Sequence, residues 1–210
     1  MPAKKKLDYK KEFPDLYKPS LKTPVIIKIP EMMFFMIDGI GDPNTAQEYK
    51  DAVETLYNIS YALKMKVIKK ETPSKDYVVP PLEGLWYMPK MEKWSMEDKT
   101  KWEWTMMIRI PDFVKDSQIK KAMKIVKETK NPPSFSKLRY ELYNEGICVQ
   151  IMYLGAYDEE PPTIKKIHQF AEKNGYNLNG HHHEIYLSDP RRVEPERLKT
   201  ILRQPIIKSS

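Results

Sequence analysis

Two stretches of this chain carry the same strand-to-helix junction. Met36-Ile-Asp-Gly39-Ile-Gly-Asp42 and Met152-Tyr-Leu-Gly155-Ala-Tyr-Asp158 both read M-x-x-G-x-x-D, each after an apolar alternating run and before a run with helical spacing. Leu85-Trp86-Tyr87 is echoed by Ile185-Tyr186-Leu187. A strand–helix–strand–strand unit used twice accounts for both echoes. Two such units pair into one antiparallel-rich sheet with helices on one face. The opposite face is then open and concave, and a ligand cleft lies at the pseudo-twofold seam. The expected fold class is therefore α+β. The expected organisation is a basic lead-in over 1–22 and one domain over 23–210, with halves at 23–130 and 131–210.

The local patterns fill in this plan. Val25–Ile29 and Met33–Ile37 alternate as strands around Pro30, and Gly39 and Gly41 end the second. Thr45-Ala-Gln-Glu48 has capping-box spacing and predicts a helix running to about Met65. Strands follow at Leu82–Met88 and Lys101–Ile110. In the latter, Trp102, Trp104, Met106, Ile108 and Ile110 share one face, and Lys101, Glu103, Thr105 and Arg109 the other. Asp112–Lys130 predicts a helix with Ile119, Ala122, Met123 and Val126 inward and a solvated lysine face. Lys137–Tyr143 and Ile147–Leu154, joined by Asn144-Glu145-Gly146, predict a β-hairpin. Pro161-Pro162 opens another helix and Asn174-Gly175 stops it. Pro195, Leu198, Ile201 and Leu202 predict a short closing helix, ended by Pro205.

Length and composition narrow the class. With 210 residues and 40% hydrophobic content, the chain can bury one good core. No apolar run approaches the roughly 18 residues of a membrane span, so no membrane role is expected. The N-terminus MPAKKKLDYKKEF lacks the apolar stretch of a signal peptide and is read as a solvated, partly disordered lead-in. The single Cys148 excludes an internal disulfide and a multi-cysteine zinc site. It is read as a small buried hydrophobe in a reducing cytoplasm. The net charge of +7 is concentrated partly at Lys4, Lys5, Lys6, Lys10 and Lys11. No nucleic-acid-binding motif accompanies it, so a nucleic-acid partner is not expected.

The stretch His181–Leu187 holds the candidate chemistry. On a strand, His182, Glu184 and Tyr186 point one way and Ile185 and Leu187 the other. A Glu buried among aromatic rings has its pKa raised and becomes a base near neutral pH, or a counter-charge for a cation. Trp86, Trp102 and Trp104 are the candidate aromatic wall. Trp86, following Gly84, is the first choice, and at least one of the other two is core. Tyr153 and Tyr157 bracket Gly155, where core packing and a pocket role are both open for Tyr153. Adjacent histidines on a strand face opposite ways, so His181, His182 and His183 do not assemble a metal site. No cofactor is implied. Arg191-Arg192 either meets an acidic group or anchors the last helix.

PPLEGLWYM at 80–88, WEWTMMIRIPDFV at 102–114, EGICVQIMYLGAYDEEP at 145–161 and GHHHEIYLSDPRRVEPERLKTILRQPI at 180–206 closely resemble the stand-alone GyrI-like small-molecule-binding proteins. These are related to the effector-binding domains of bacterial multidrug-responsive transcription activators and to a gyrase-inhibitory protein. The resemblance covers nearly the whole chain after Val25. It implies tandem strand–helix–strand–strand modules around a cleft that takes hydrophobic, often cationic, drug-like molecules. Some stand-alone members hydrolyse cyclopropanoid compounds with a cleft glutamate and neighbouring aromatic residues. By motif these fall on Glu184 and Tyr186, with the wall at Trp86, Trp102 or Trp104. The chain departs from the family at Tyr153, where His is more frequent, and at Ala156, where Pro is common. Three functions stay open: a small hydrolase, a sequestering or sensing module without chemistry, and a protein-interaction module. The oligomeric state is open too.

Overall fold

The computed structural model describes residues 6–87 and 99–209. The strands are β1 (Val25–Ile29), β2 (Met32–Ile40), β3 (Leu82–Tyr87), β4 (Glu103–Arg109), β5 (Arg139–Tyr143), β6 (Gly146–Leu154), β7 (Tyr176–Leu178), β8 (His182–Tyr186) and β9 (Lys199–Lys208). The helices are α1 (Tyr9–Glu12), α2 (Pro14–Tyr17), α3 (Gln47–Ala62), α4 (Lys69–Glu71), α5 (Asp116–Thr129) and α6 (Pro161–Lys173). The strands form one curled antiparallel sheet in the order β1-β6-β9-β8-β3-β4-β2-β5, with β7 on the end of β9. The duplicated unit is present as β2-α3-β3-β4 and β6-α6-β8-β9, and the halves meet where β3 pairs with β8. The fold is α+β, as the repeat predicts.

The hairpin over 137–154 is not formed. β5 pairs with β2, while β6 pairs with β1 and β9. Ile29 faces Gly146 and Met32 faces Tyr143, so the register runs on unchanged past the Pro30-Glu31 corner. β1 with β2, and β5 with β6, therefore behave as two long bent strands lying side by side. Gly146, at φ 73°, supplies the bend where a hairpin turn was expected.

The closing helix is also replaced, by one 3-10 turn at Pro195–Arg197 and then β9, which lies between β6 and β8. From Thr200 to Ile206 every residue of β9 is buried. Leu202 and Ile206 pack under α6 and Ile201 packs on the other face, so the alternation that marks a half-exposed strand is missing. Smaller differences follow from caps and packing. Helix α3 starts at Gln47 with no side-chain cap, so Thr45 and Glu48 form no capping box. It continues beyond Met65 through a π-helical turn, Leu63–Ile68, that keeps Leu63, Val67 and Ile68 all buried. Helix α5 spans Asp116–Thr129, inside the predicted 112–130, with its lysine face exposed. Met88, the predicted end of β3, lies outside the described residues.

Three apolar clusters build the interior. One lies between the sheet and α3, the π turn and α5, and includes Ile37, Leu56, Trp104, Met106 and Val126. Another lies between β6, β9 and α6. These place the helices on one face, as expected. The opposite face is not open. Residues of the basic lead-in fold onto it, burying Tyr9, Leu16 and Tyr17 against Phe34, Met107 and Ile185. Four-residue helices such as α1 and α2 have no stability of their own and exist because they dock. Backbone carbonyls of Asp15 and Leu16 accept from Gln150 Nε2 (2.7 Å) and Arg203 Nη2 (3.2 Å), and Arg109 lies 4.1 Å from the centre of the Tyr9 ring. Thr105 and Arg109, on the strand face opposite Trp104, are buried.

Beneath this cover lies a charged network. His183 joins Glu145 through Nδ1 (2.8 Å) and Glu83 through Nε2 (3.0 Å), and Arg203 donates to Glu145 (3.1 Å) and to Gln150 (3.1 Å). All four ionisable side chains are almost fully buried. Burial opposes ionisation of Glu145, but the charges of His183 and Arg203 and their hydrogen bonds hold its carboxyl down to about 2. Cys148 sits on the same face, fully buried, and burial pushes its thiol up, as a packing residue requires.

Candidate functional site

The cleft opens on the helix-bearing face, over the β3–β8 seam. It measures about 1680 Å³ and runs between α3, the residues following β8 and the start of α6. Directly opposed residues on antiparallel strands share a face. Gly84 opposes Glu184, Trp86 opposes His182, and Leu82 opposes Tyr186, so all six project toward the helix side. Gly84 is the one that leaves space. A Cβ there would sit 3.2 Å from each of Met106 Sδ, Trp86 Nε1 and Tyr186 Oη.

A directed hydrogen-bond chain crosses the seam. Trp86 Nε1 lies 3.1 Å from Tyr186 Oη, which lies 2.7 Å from Glu184 Oε2. An indole N–H can only donate. Tyr186 therefore accepts from Trp86 and donates its O–H in a hydrogen bond to Glu184. Burial, then the Glu184 charge, push the Tyr186 phenol well up, so it keeps that proton. The Glu184 side chain is 13% exposed and faces the cleft.

Aromatic rings enclose this carboxylate. Trp102 meets Trp86 edge-on at 5.7 Å, Tyr49 stacks on Trp86 at 6.4 Å, and Tyr157 meets Tyr186 edge-on at 5.7 Å. Tyr49, Val53 and Tyr57 recur every fourth residue of α3 and form its cleft-facing stripe. The Tyr49 phenol is pushed up by burial and the Glu184 charge, and that of Tyr157 by burial, Glu160 and Glu184, so the wall stays neutral. At the rim, Arg191 and Arg192 pair with Asp189 instead of anchoring a helix.

Trp86, Trp102, Tyr157, Glu184 and Tyr186 thus converge on one cleft. The other three singled out by sequence do not line it. Trp104 is core, donating its indole N–H to the Gly41 carbonyl at 3.2 Å and standing edge-on to Tyr49. Tyr153 packs under α6 and donates to the Ala156 carbonyl at 3.0 Å. His182 is on the same sheet face but buried away from the cleft, its Nε2 3.6 Å from Glu184 Oε1, beyond hydrogen-bond range. Neither of its ring nitrogens has a partner among the described residues. Among those residues no three His, Cys, Asp or Glu side chains converge as a metal site, and no helix is long and apolar enough to cross a membrane.

Sequence reasoning missed Glu160. It immediately precedes Pro161 at the start of α6, inside an Asp-Glu-Glu run that reads as surface. It is 3% exposed and lines the same cleft as Glu184. Its side chain does not cap the helix. Burial, reinforced by the Glu184 charge, pushes its carboxyl well up. A helix N-terminus favours a carboxylate by at most about 2 kcal/mol, too little to reverse this. The only sequence signal was a carboxyl just ahead of a Pro-Pro helix start, at a point where the duplicated plan turns that end toward the seam.

Known proteins share this architecture. A solved structure of an uncharacterized conserved protein from Listeria innocua is 41% identical, covers 96% of this chain and 100% of its own, and has a TM-score of 0.87. A protein described as a hydrolase, also from Listeria innocua, is 40% identical over 97% of this chain and 100% of its own, with a TM-score of 0.84. The C-terminal domain of EcmrR is 14% identical, covers 89% and 98% respectively, and at a TM-score of 0.54 shares the fold. No protein with a curated description matches. The pattern of the GyrI-like small molecule binding domain matches residues 22–206, and the chain belongs to that family.

Proposed function

We propose that the cleft binds flat, amphipathic, drug-like molecules and hydrolyses those carrying a strained cyclopropane ring conjugated to a carbonyl, a protection against xenobiotics. The observation that carries this reading is the Trp86–Tyr186–Glu184 chain, which leaves an oriented carboxylate at the base of an aromatic enclosure. The 40% identical relative described as a hydrolase supports it. In the reaction, Glu184 takes a proton from water. The resulting hydroxyl bonds to the ring methylene, the ring C–C bond breaks, and its electron pair moves to the carbonyl oxygen, which then takes up a proton. The same arrangement suits a lipophilic cation, for which each ring face contributes about 0.5–2 kcal/mol. Binding without turnover is thus the second reading.

The test incubates the protein with a cyclopropane-fused dienone and follows the product by mass spectrometry. The hydrolase reading expects a product heavier by one water. Stoichiometric binding with no product would leave only the sequestering role.

A further inference from the structure

The repeat that sets Leu85-Trp86-Tyr87 against Ile185-Tyr186-Leu187 also sets Gly84 against Glu184. These two residues face each other across the β3–β8 seam. The pair therefore sits on the pseudo-twofold axis, with a carboxylate on one member and no side chain on the other. Trp86 and Tyr186 are likewise equivalent under the repeat, each two residues further along its strand, and their side chains meet at 3.1 Å. Gly84 is buried in the interior of β3, and its φ is not in the left-handed region. Its backbone thus needs no glycine, and a glycine inside a strand weakens it, so the reason lies in close approach. A Cβ there would come within 3.2 Å of Trp86 Nε1, Tyr186 Oη and Met106 Sδ alike. The Met106 thioether is flexible enough to turn aside. The two rings are not: Trp86 is held edge-on by Trp102 and stacked by Tyr49, and Tyr186 Oη is tied to Glu184 at 2.7 Å. Gly84 does not itself line the cleft.

We propose that Gly84 is a positioning residue: by carrying no side chain on the seam axis, it leaves the path along which Trp86 bonds Tyr186 and so aims the Tyr186 hydroxyl at Glu184. This rests on the hydrolase reading above, in which Glu184 is the base. The Trp86 N–H occupies one lone pair of the phenol oxygen, which turns the O–H toward Glu184 Oε2. An ionised carboxylate has about four acceptor sites, so the bond from Tyr186 fixes its direction and leaves room for water. A methyl group at position 84 would push the indole and the phenol apart. The hydroxyl would then be free to rotate, and the carboxylate would lose its fixed direction toward the attacking water. The same crowding explains why a duplicated seam carries one glutamate and not two: a second one on the axis would rise into the place of the bond that orients the first.

A double-mutant cycle of Gly84→Ala and Tyr186→Phe tests this, with the cyclopropane-fused dienone as substrate and tetraphenylphosphonium as a non-reacting probe of the cleft. Gly84→Ala alone should lower kcat by about 10-fold or more, since misplacing a reacting group by an ångström costs up to about 100-fold. KM and probe binding should stay within a few-fold of the parent. Tyr186→Phe removes the hydroxyl that Gly84 helps to aim. In that background Gly84→Ala should cost no more than about 2-fold further, because residues acting as a unit are not additive. Losses that multiply would overturn the proposal, as would parent-level kcat in Gly84→Ala, and either leaves the hydrolase reading standing. Equal loss of probe binding and turnover would mean that the methyl group merely reshapes the cleft, which also overturns it. Should Gly84→Ala not fold, the double variant decides, since the Oη that its Cβ would meet is gone. Turnover matching Tyr186→Phe supports the assignment, and a further large loss overturns it. An inert parent protein would overturn the hydrolase reading and this assignment with it.

Discussion

Replacing Glu145 by Gln tests the charged network beneath the N-terminal cover. Its carboxyl is held at about 2 against an ordinary value of 4.5, because His183 and Arg203 more than offset the burial that would raise it. At 1.36 kcal/mol per unit, this depression corresponds to about 3 kcal/mol of stability. A depressed carboxyl contributes fully above its unfolded value of 4.5, and the contribution drains away as pH falls through about 2. His183 works in the opposite sense. Its imidazole is raised by Glu145 and Glu83 against burial, so its share is complete below 6.5 and fades as pH rises through its folded value. Glu145→Gln leaves Arg203 and His183 facing an amide, a change of about 3–5 kcal/mol for a broken buried pair. Urea unfolding followed by tryptophan fluorescence at pH 7, 5 and 3 should show the variant about 3 kcal/mol weaker at pH 7. The gap should narrow between pH 5 and 3. A gap that stays constant with pH would show that shape, not charge, decides the effect, and no gap at all would refute the linkage argument.

Glu184→Gln should abolish hydrolysis while leaving the melting temperature within a few degrees of the parent; retained turnover would place the base elsewhere. Trp86→Ala should weaken tetraphenylphosphonium binding by more than about 1 kcal/mol in calorimetry. Since the ring is 5% exposed, the same variant should lose about 3–5 kcal/mol of stability, and parent-like affinity would show that the ring makes no ligand contact. Gly39→Ala would drive a Cβ into the Trp104 ring, so overpacking should destabilise by about 1–3 kcal/mol, and an unchanged urea midpoint would contradict that contact.

How far the sequence could be read depended on how many sides of each element are buried. Helices α5 and α6 have one buried stripe, and their 3.6-residue pattern located them closely. The face shared by Glu184 and Tyr186 followed from alternation alone, since Ile185 is buried on the other side. β9 has cores above and below it, so Leu198, Ile201 and Leu202 matched a helix by spacing. Asn144-Glu145-Gly146 carries turn chemistry, yet the partners of β5 and β6 lie in β2, β1 and β9, far along the chain, where local signals do not reach. Trp102 and Trp104 share a face, and only their positions along the strand separate cleft wall from core. Glu160 was hidden for a related reason. Its burial arises where the start of α6 meets the cleft, across the fold, and nothing in the Asp-Glu-Glu run announces it.

The unbroken register past the Pro30 corner has a mechanical consequence. The two modules are stitched together along β3–β8, by five facing residue pairs, and again where the two long strands lie side by side. Widening the cleft by swinging one half from the other would tear backbone hydrogen bonds at both joins, at about 1 kcal/mol each. Among the described residues the frame therefore has no hinge, and the movable parts of the cleft are side chains such as the rings of Trp102 and Tyr157 on a fixed base.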